Sequence, residues 1–470
     1  MSNKLYTYGV ILLTLIFLTS CKKSFLEIKP KGRVIASKTS DYDLLLNNLD
    51  LIVITGADGQ VLPGDEVTVK EPAWSSASLR DKQLFKWDFN IYTPEEDAKE
   101  TLTPVKGLYM YNKIINEVME STEGTEAVKK SLQAEAYAGR AWTYFLLINY
   151  YGKPYNAATA STDPGFPIIK EADINGGPYT RATVQEVYDL IVSDLTKAIP
   201  NLMYTGVPHR SRMSKAAAQG LLAKVYIFMG KFTEAMPLLN ESISNLAQSA
   251  STAPTLLLNY NTAFPGFPTA PNDQENVYAK VMSNVYLSGS QTLVYLTPEA
   301  DALYGPTDVR RAKWLTNSFT FPNGLKLVRR GSTTVSFWGI RVPELYLFRA
   351  ELKARNDDIA GAVSELEFFR ANRMPAADAK VPAAAQTNKK ALLQFIMEER
   401  IREFSVTGYR WFDMRRLWVD PLFGATTYQH KVYDASGVVK ETYTLNNINQ
   451  FVFRIPPKIL GENPGMQDNP

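Results

Sequence analysis

The chain reads as mostly α-helical: helices paired through short turns form a scaffold, and long irregular segments with a few short strands are set into it. Three observations predict this class. Apolar residues recur at helical spacing over 126–151, 183–200, 214–243, 343–372 and 391–417. Two of those segments carry the same arrangement of small residues around a polar turn. Between about residues 240 and 341, Pro254, Pro265, Pro268, Pro271, Pro298, Pro306 and Pro322 forbid long helices.

The first element along the chain lies outside the fold. Val10–Leu18 is apolar but too short to span a bilayer, which takes about 20 residues. Lys4 precedes it and Thr19-Ser20-Cys21 follows, the layout of a secretory signal with small residues before the cut. Leu18-Thr19-Ser20-Cys21 also resembles the bacterial lipobox, whose cysteine is acylated and becomes the first mature residue. Cys21 is the only cysteine among 470 residues. Residues 1–20 are therefore expected to be a lipoprotein signal peptide and Cys21 the lipidation site. With that thiol acylated no disulfide can form, and stability must come from packing. Residues 21–40, polar and carrying Pro30 and Gly32, read as a tether. Residues 41–240 and 241–470 follow as two parts of one compact unit.

Each helical segment has its own signature. In 126–151, Ala134, Ala138 and Ala141 alternate with Leu132, Tyr137, Phe145 and Ile148, the pattern of a helix that another helix approaches closely. Thr183-Val-Gln-Glu186 is a capping box, after which Val184, Val187, Tyr188, Ile191, Leu195 and Ile199 mark one face up to Pro200. Ala223 and Ala235 flank a turn at Gly230, and Ala350 and Ala362 flank one at Asn356, each pair 12 residues apart. Small residues at the crossing and large apolar ones on the shared face are the packing logic of tetratricopeptide-type hairpins. A last pair runs from Ala391 through Phe404 and from Gly408 to about Leu417. Short strands are expected at Val277–Ser283, Thr292–Leu296 and Leu325–Arg330. His430–Asp434 and Val438–Tyr443, around Gly437, read as a hairpin, and Trp74–Pro94 reads as irregular.

Composition excludes several chemistries. The two histidines, His209 and His430, stand alone, which leaves no His-Cys zinc set and little material for Ser-His activation. There is no P-loop, no GxGxxG and no EF-hand loop, and no cofactor is expected. Fifty-one basic and 48 acidic residues are interspersed, unlike the concentrated charge of a nucleic-acid binder. Carboxylate chemistry stays open, through Glu95-Glu96-Asp97 or through Glu399 and Asp413. The latter two have arginines close by, which would hold their pKa down and spoil a general acid. The segment from Glu399 reads instead as structural: Glu399, Arg402 and Glu403 pair on adjacent turns, Gly408 breaks the helix, and Arg410 pairs with Asp413 on the next.

Four stretches resemble the SusD/RagB family of Bacteroidetes outer-membrane lipoproteins. They are Phe25–Gly32 with Asp41–Asn47, Ala134–Gly152, Glu398–Arg416 (Glu-Glu-Arg-Ile-Arg-Glu-Phe-Ser-Val-Thr-Gly-Tyr-Arg-Trp-Phe-Asp-Met-Arg-Arg), and Phe453–Leu460 with Asn463 to Pro470. The resemblance implies a SusD-like fold and a non-catalytic protein on the outer face of the cell outer membrane. It would capture a nutrient, an oligosaccharide or in some members a peptide, and deliver it to a SusC-like TonB-dependent transporter. The membrane is then touched through the lipid alone, and, as the interspersed charge already indicates, no nucleic acid is expected as a partner; no metal-ligating residues are singled out.

Sugar rings offer C–H faces to flat aromatic rings, and their hydroxyls need amides, carboxylates or arginine. The candidate platforms are therefore Trp74, Trp87, Tyr286, Tyr295, Trp314 and Trp338, with Arg80, Asp81, Asn284, Asp308 and Arg310 as polar partners. Two other classes compete. A helical glycosidase would need two carboxylates about 5 to 10 Å apart in a cleft. A structural adaptor would use only its helical surfaces.

Overall fold

The computed structural model describes residues 36–54, 58–207, 209–246, 248, 256–262, 273–315, 317–331, 334–424 and 426–470. The signal peptide, Cys21 and most of the tether lie outside these. The tether is shorter than expected, because Thr39 already opens a helix, Thr39–Leu46, and is buried. Its hydroxyl bonds to Ser121 at 2.8 Å and donates to the carbonyl of Glu123 at 2.6 Å.

The five expected helical segments are all present. Glu126–Tyr151 is one unbroken helix, capped by the Thr125 hydroxyl. Val184–Ala198 starts at the predicted capping box, with Thr183 and Glu186 bonding each other's backbone N–H. Lys215–Phe228 pairs with Phe232–Leu246, Val342–Arg355 with Ile359–Ala371, and Lys389–Phe404 is followed by Tyr409–Trp418. Ala134, Ala138, Ala141, Ala223, Ala235, Ala350 and Ala362 are all buried where the helices cross. Gly139 shows how close the approach is, since a Cβ there would overlap the ring of Tyr111 on the neighbouring helix.

That neighbour, Lys99–Glu117, goes beyond the sequence expectation. Pro104 lies inside it and lacks the N–H that would bond the carbonyl of Glu100. The helix survives because it packs along Glu126–Tyr151, burying Leu108, Tyr111 and Ile114. Trp74–Pro94 is not wholly irregular either: Ser78 caps a two-turn helix, Leu79–Phe85.

The strands form small sheets. The expected strand Val277–Ser283 splits into Asn276–Tyr278, paired with Ile340–Arg341, and Val281–Ser283, which lies between Val53–Ile54 and Val335–Phe337. The C-terminal hairpin forms as Tyr428–Tyr433 and Val439–Leu445. It continues through Val67–Lys70 into Val294–Leu296, making four strands in one sheet. Val432 sits opposite Val69, and Val67 opposite Leu296. Strands are thus not confined to the insertions. One apolar core extends from Ile54 to Ile455 and draws on nearly every helix.

Candidate functional site

The Glu399 region is the electrostatic centre of the molecule. Glu399 accepts from Arg310 at 2.7 Å, from Arg402 at 3.0 Å and from Arg370. Glu403 accepts from Arg310 at 2.9 Å and from Arg373 at 3.0 Å. Burial by itself would raise both carboxyls, but the surrounding arginines outweigh it. Arg310, Arg402 and Arg370 hold Glu399 well below the usual carboxylate range, and Arg373 with Arg310 holds Glu403 down at about 2. Such groups stay ionised and do not give up protons near neutrality. Gly408 has φ +89, and a side chain there would run into Gln60. The expected Arg410–Asp413 pair does not form. Arg410 reaches Asp65 at 2.8 Å, and Asp413 is taken by Arg400 at 2.7 Å and Arg416 at 2.9 Å. Spacing within one helix could not reveal the partner from residue 65.

The aromatic platform read from the sequence is not on the surface. Trp74, Trp87, Tyr286, Tyr295, Trp314 and Trp338 are all at most 5% exposed, so none offers a ring face. Trp87 stacks on His430 with centroids 4.0 Å apart and donates its indole N–H to the Pro63 carbonyl at 2.9 Å. Trp74 packs on Phe85, and Trp314 lies under the Arg330 guanidinium at 3.9 Å. The Tyr286 hydroxyl donates to Asp81 at 2.6 Å, Tyr295 lies beneath Lys70 and Arg329, and Trp338 packs on Phe412. These rings anchor irregular segments to the core. The polar candidates are engaged as well: Arg80 with Asp58 and Glu100, Asn284 with Ser336 and the Val406 carbonyl, and Asp308 with Arg310.

Several open clefts are present, two of them bordered by Trp87 or Asp308, and they differ in what they present. One, of about 410 Å³, is rich in amides from Asn446, Asn447, Asn449 and Gln450, but the rings in its wall, Trp87 and Phe89, are buried. Another, of about 240 Å³, is edged by Asp308, Arg370 and Arg402, which are already paired in the buried network. The cleft of about 490 Å³ between the turn after the first helix and Lys99–Glu117 is different. Lys106 and Tyr109 stand three residues apart on the outer face of that helix and meet there. The Asn48–Asp50 turn, held by Asn48 capping the Asp50 N–H, makes one rim. The segment from Ile169 to Tyr179 makes the other.

This cleft combines ring faces with free polar groups. Tyr109 is 37% exposed and Tyr179 half-buried, with Ile174 beside them. Among the described residues, the Asp50 carboxylate, the Lys106 ammonium and both tyrosine hydroxyls have no bonding partner. The far rim is fixed: Asn112 donates to the carbonyls of Ile169 at 3.0 Å and Glu171 at 3.2 Å, and the Tyr179 N–H donates to Asn463 at 2.7 Å. Across Glu171 a second cavity of about 590 Å³ opens, lined by Tyr137, Lys170, Ser193 and Lys197. Sequence reasoning missed Tyr109 because its helix was hidden by Pro104, and missed Tyr179 because it sits in an irregular loop. Among the described residues, no group of three His, Cys, Asp or Glu is placed to hold a metal ion.

The comparisons with known proteins agree with the architecture. A family profile described as starch-binding and associating with the outer membrane matches residues 24–227, and the SusD family profile matches 277–470. The SusD-like protein P38 of Formosa agariphila is 23% identical over 349 residues, 60% of this chain and 65% of that relative, so the match spans just under two thirds of its length. A putative sugar binding protein from Bacteroides vulgatus superposes with a TM-score of 0.73 at 20% identity, covering 93% of this chain and 99% of that one. A SusD superfamily protein from Bacteroides thetaiotaomicron gives 0.71 at 18% identity, covering 92% and 100%. At these identities the superpositions speak for the fold, while the two profiles together take in nearly all of the described chain. The chain belongs to the SusD/RagB family.

Proposed function

We propose that the protein is a non-catalytic lipoprotein, anchored through Cys21 on the outer face of the outer membrane, that captures an oligosaccharide in the Tyr109–Tyr179 cleft. It then passes the sugar to a SusC-like TonB-dependent transporter. The observation that carries this reading is the pairing of two partly exposed tyrosine rings with the unpartnered Asp50 and Lys106. A mostly apolar lining with a few converging polar groups is the usual make-up of a small-molecule site, and ring faces beside hydroxyl partners suit a sugar. Family membership supports the glycan class and the outer-membrane location. Among the described residues no helix is long and apolar enough to cross a membrane, which is compatible with a lipid as the attachment.

Several observations favour binding over cleavage. A glycosidase pair needs one carboxyl with a raised pKa beside a substrate cleft. Glu399, Glu403 and Asp413 are all held below their usual values among arginines. Glu66 is pushed up to about 7 by burial, but it bonds the Val406 N–H inside the core and lines none of the clefts described above. Asp194, raised by burial beside the cavity of about 590 Å³, has both oxygens held by Arg140. Asp97 is tied to Lys458 at 2.6 Å. One feature favours a peptide ligand as the second reading: Ile174, 82% exposed at the rim, suits an apolar side chain.

Calorimetry against panels of glycans and peptides, with Tyr109→Ala as control, tests the class. Glycan binding weakened by that change supports the reading, and peptide binding alone moves the second reading to first. The transporter contact should exceed about 1,000 Å². Co-purification from mildly solubilised outer membranes checks it.

A further inference from the structure

The two cavities that meet at Glu171 share more than a border. Glu171 lines both, and the backbone between them is bolted to the helices beneath. Asn112 holds the carbonyls of Ile169 and Glu171. Asn116 donates to the Lys170 carbonyl at 3.2 Å and to the Glu171 carboxylate at 3.1 Å. The Tyr144 hydroxyl donates to the Ile169 carbonyl at 3.1 Å and accepts its N–H at 2.6 Å. Asn112 is in turn fixed by Arg140, which forks onto Asp194 with two bonds of 2.8 and 2.9 Å. The result is a rigid sill with a cavity on each side.

Each side sets tyrosine rings beside polar groups. The first has Tyr109 and Tyr179 with free Lys106 and Asp50. The second has the half-buried ring of Tyr137, near which the Lys197 ammonium lies at 5.7 Å and the Arg140 guanidinium at 5.4 Å from the ring centre, with the Lys170 and Ser193 side chains making no hydrogen bond among the described residues. Each cavity alone falls in the size range of a small-molecule pocket, roughly 300 to 1,000 Å³. A ligand that fills both is a chain of several sugar units. The lining carries six carboxylates and four cations, so a chain bearing carboxylates or sulfates would meet like charge along its length. A neutral chain would find both donors and acceptors.

Resting on the glycan reading above, we propose that the two cavities are halves of one trough that binds an electrically neutral oligosaccharide laid across the Glu171 sill. Two consequences follow from this geometry. Affinity rises with chain length until both halves are filled. Changes in the second half are felt by long chains and not by short ones.

The test is calorimetry with α-1,4- and β-1,4-linked gluco-oligosaccharides from disaccharide to octasaccharide, and with oligogalacturonates of matching length. Three proteins are compared: the unaltered chain, Tyr109→Ala, and Ser193→Tyr, which fills the second half from a partly exposed position. A second change there, Lys197→Ala, guards against a folding defect in Ser193→Tyr. The trough predicts that affinity climbs with length and that Tyr109→Ala weakens every length about tenfold. It also predicts that Ser193→Tyr and Lys197→Ala weaken only the longer chains, and that oligogalacturonates bind at least about tenfold more weakly than neutral chains. Affinity that stops rising at the disaccharide, or stays indifferent to both changes in the second half, overturns the trough and leaves the Tyr109 cleft standing. Oligogalacturonates binding as tightly as neutral chains overturns the charge selection. No binding by any of these chains overturns the trough together with the glycan reading.

Discussion

Arg310 donates to Glu399 across 2.7 Å with neither side chain exposed to water. Arg310 sits in a short helix, Val309–Trp314, within the proline-rich insertion, while Glu399 belongs to the scaffold helix Lys389–Phe404. The pair therefore staples the insertion to the helical scaffold. Asp308 and Glu403 also receive bonds from Arg310, and Arg373 passes the connection on to Glu275 at 2.7 Å. A buried network of this kind need not exceed apolar packing in stability. Breaking it from one side, however, leaves carboxylates desolvated and unpaired.

Arg310→Met is accordingly expected to cost about 3 to 5 kcal/mol of unfolding free energy. Lys380→Ala, which removes the pair between an exposed lysine and the partly buried Glu367, should cost no more than about 1 kcal/mol. Urea unfolding of both variants checks this. A loss below about 1 kcal/mol for Arg310→Met would mean that the network does not hold the insertion in place.

The same network sets the acid limit. The folded pKa of Glu403 is about 2 against an ordinary 4.5, and Glu399 shifts in the same direction. Carboxyls lowered by folding contribute stability that is present above the ordinary value and lost as pH falls towards the folded one. The contribution of these two carboxyls should therefore be lost, and urea midpoints should drop steeply, as pH falls below 4.5. Glu403→Gln should flatten that drop, and an unchanged slope in the variant would contradict the assignment.

Glu66 has the opposite sign. Burial pushes its carboxyl up to about 7 from an ordinary 4.5, with the Asp65 charge adding to the rise. Its contribution is fully present below 4.5 and lost as pH rises through about 7. Glu66→Gln keeps an acceptor for the Val406 N–H and cannot ionise. It should be more stable than the unaltered chain at about pH 8 and similar at about pH 5, as thermal melts at the two values would show. Equal stability at the higher pH would argue against a buried, protonatable Glu66.

Cys21 is expected to carry the acyl chains. Labelling with palmitate should mark the protein and fail with Cys21→Ala, which should also leave the membrane fraction. One acyl chain alone anchors only weakly, so stable attachment requires the two or three chains of a lipoprotein. Label retained in the variant would remove Cys21 from this role.

The helices were legible because their pattern is local. Ala134, Ala138 and Ala141 announce a close crossing without naming the partner, and Thr183 with Glu186 fixes a helix start to the residue. What depends on distant partners was not legible. Val67–Lys70 is four residues long and becomes a strand only because the hairpin around Gly437 and the Val294–Leu296 strand flank it. Arg410 looked like a partner for Asp413 until the fold brought up Asp65. The aromatics were misread for a related reason. Ring content in an irregular segment does not say whether the rings face water or nail the segment down. Trp87, with φ +56 and its ring on His430, does the second. Tyr109 does the first, on a helix that Pro104 concealed.

The most direct test of the central claim is glycan titration calorimetry on two single variants, followed by product analysis after long incubation. Tyr109→Ala removes a partly exposed ring, so it should keep the fold and lose about tenfold in affinity. Trp87→Ala removes a buried ring, so it should lose about 3 to 5 kcal/mol of stability and keep its affinity in the fraction that remains folded. The glycan should be recovered intact throughout. A Tyr109→Ala variant that binds as well as the unaltered chain, or glycan recovered as shorter products, would contradict the account.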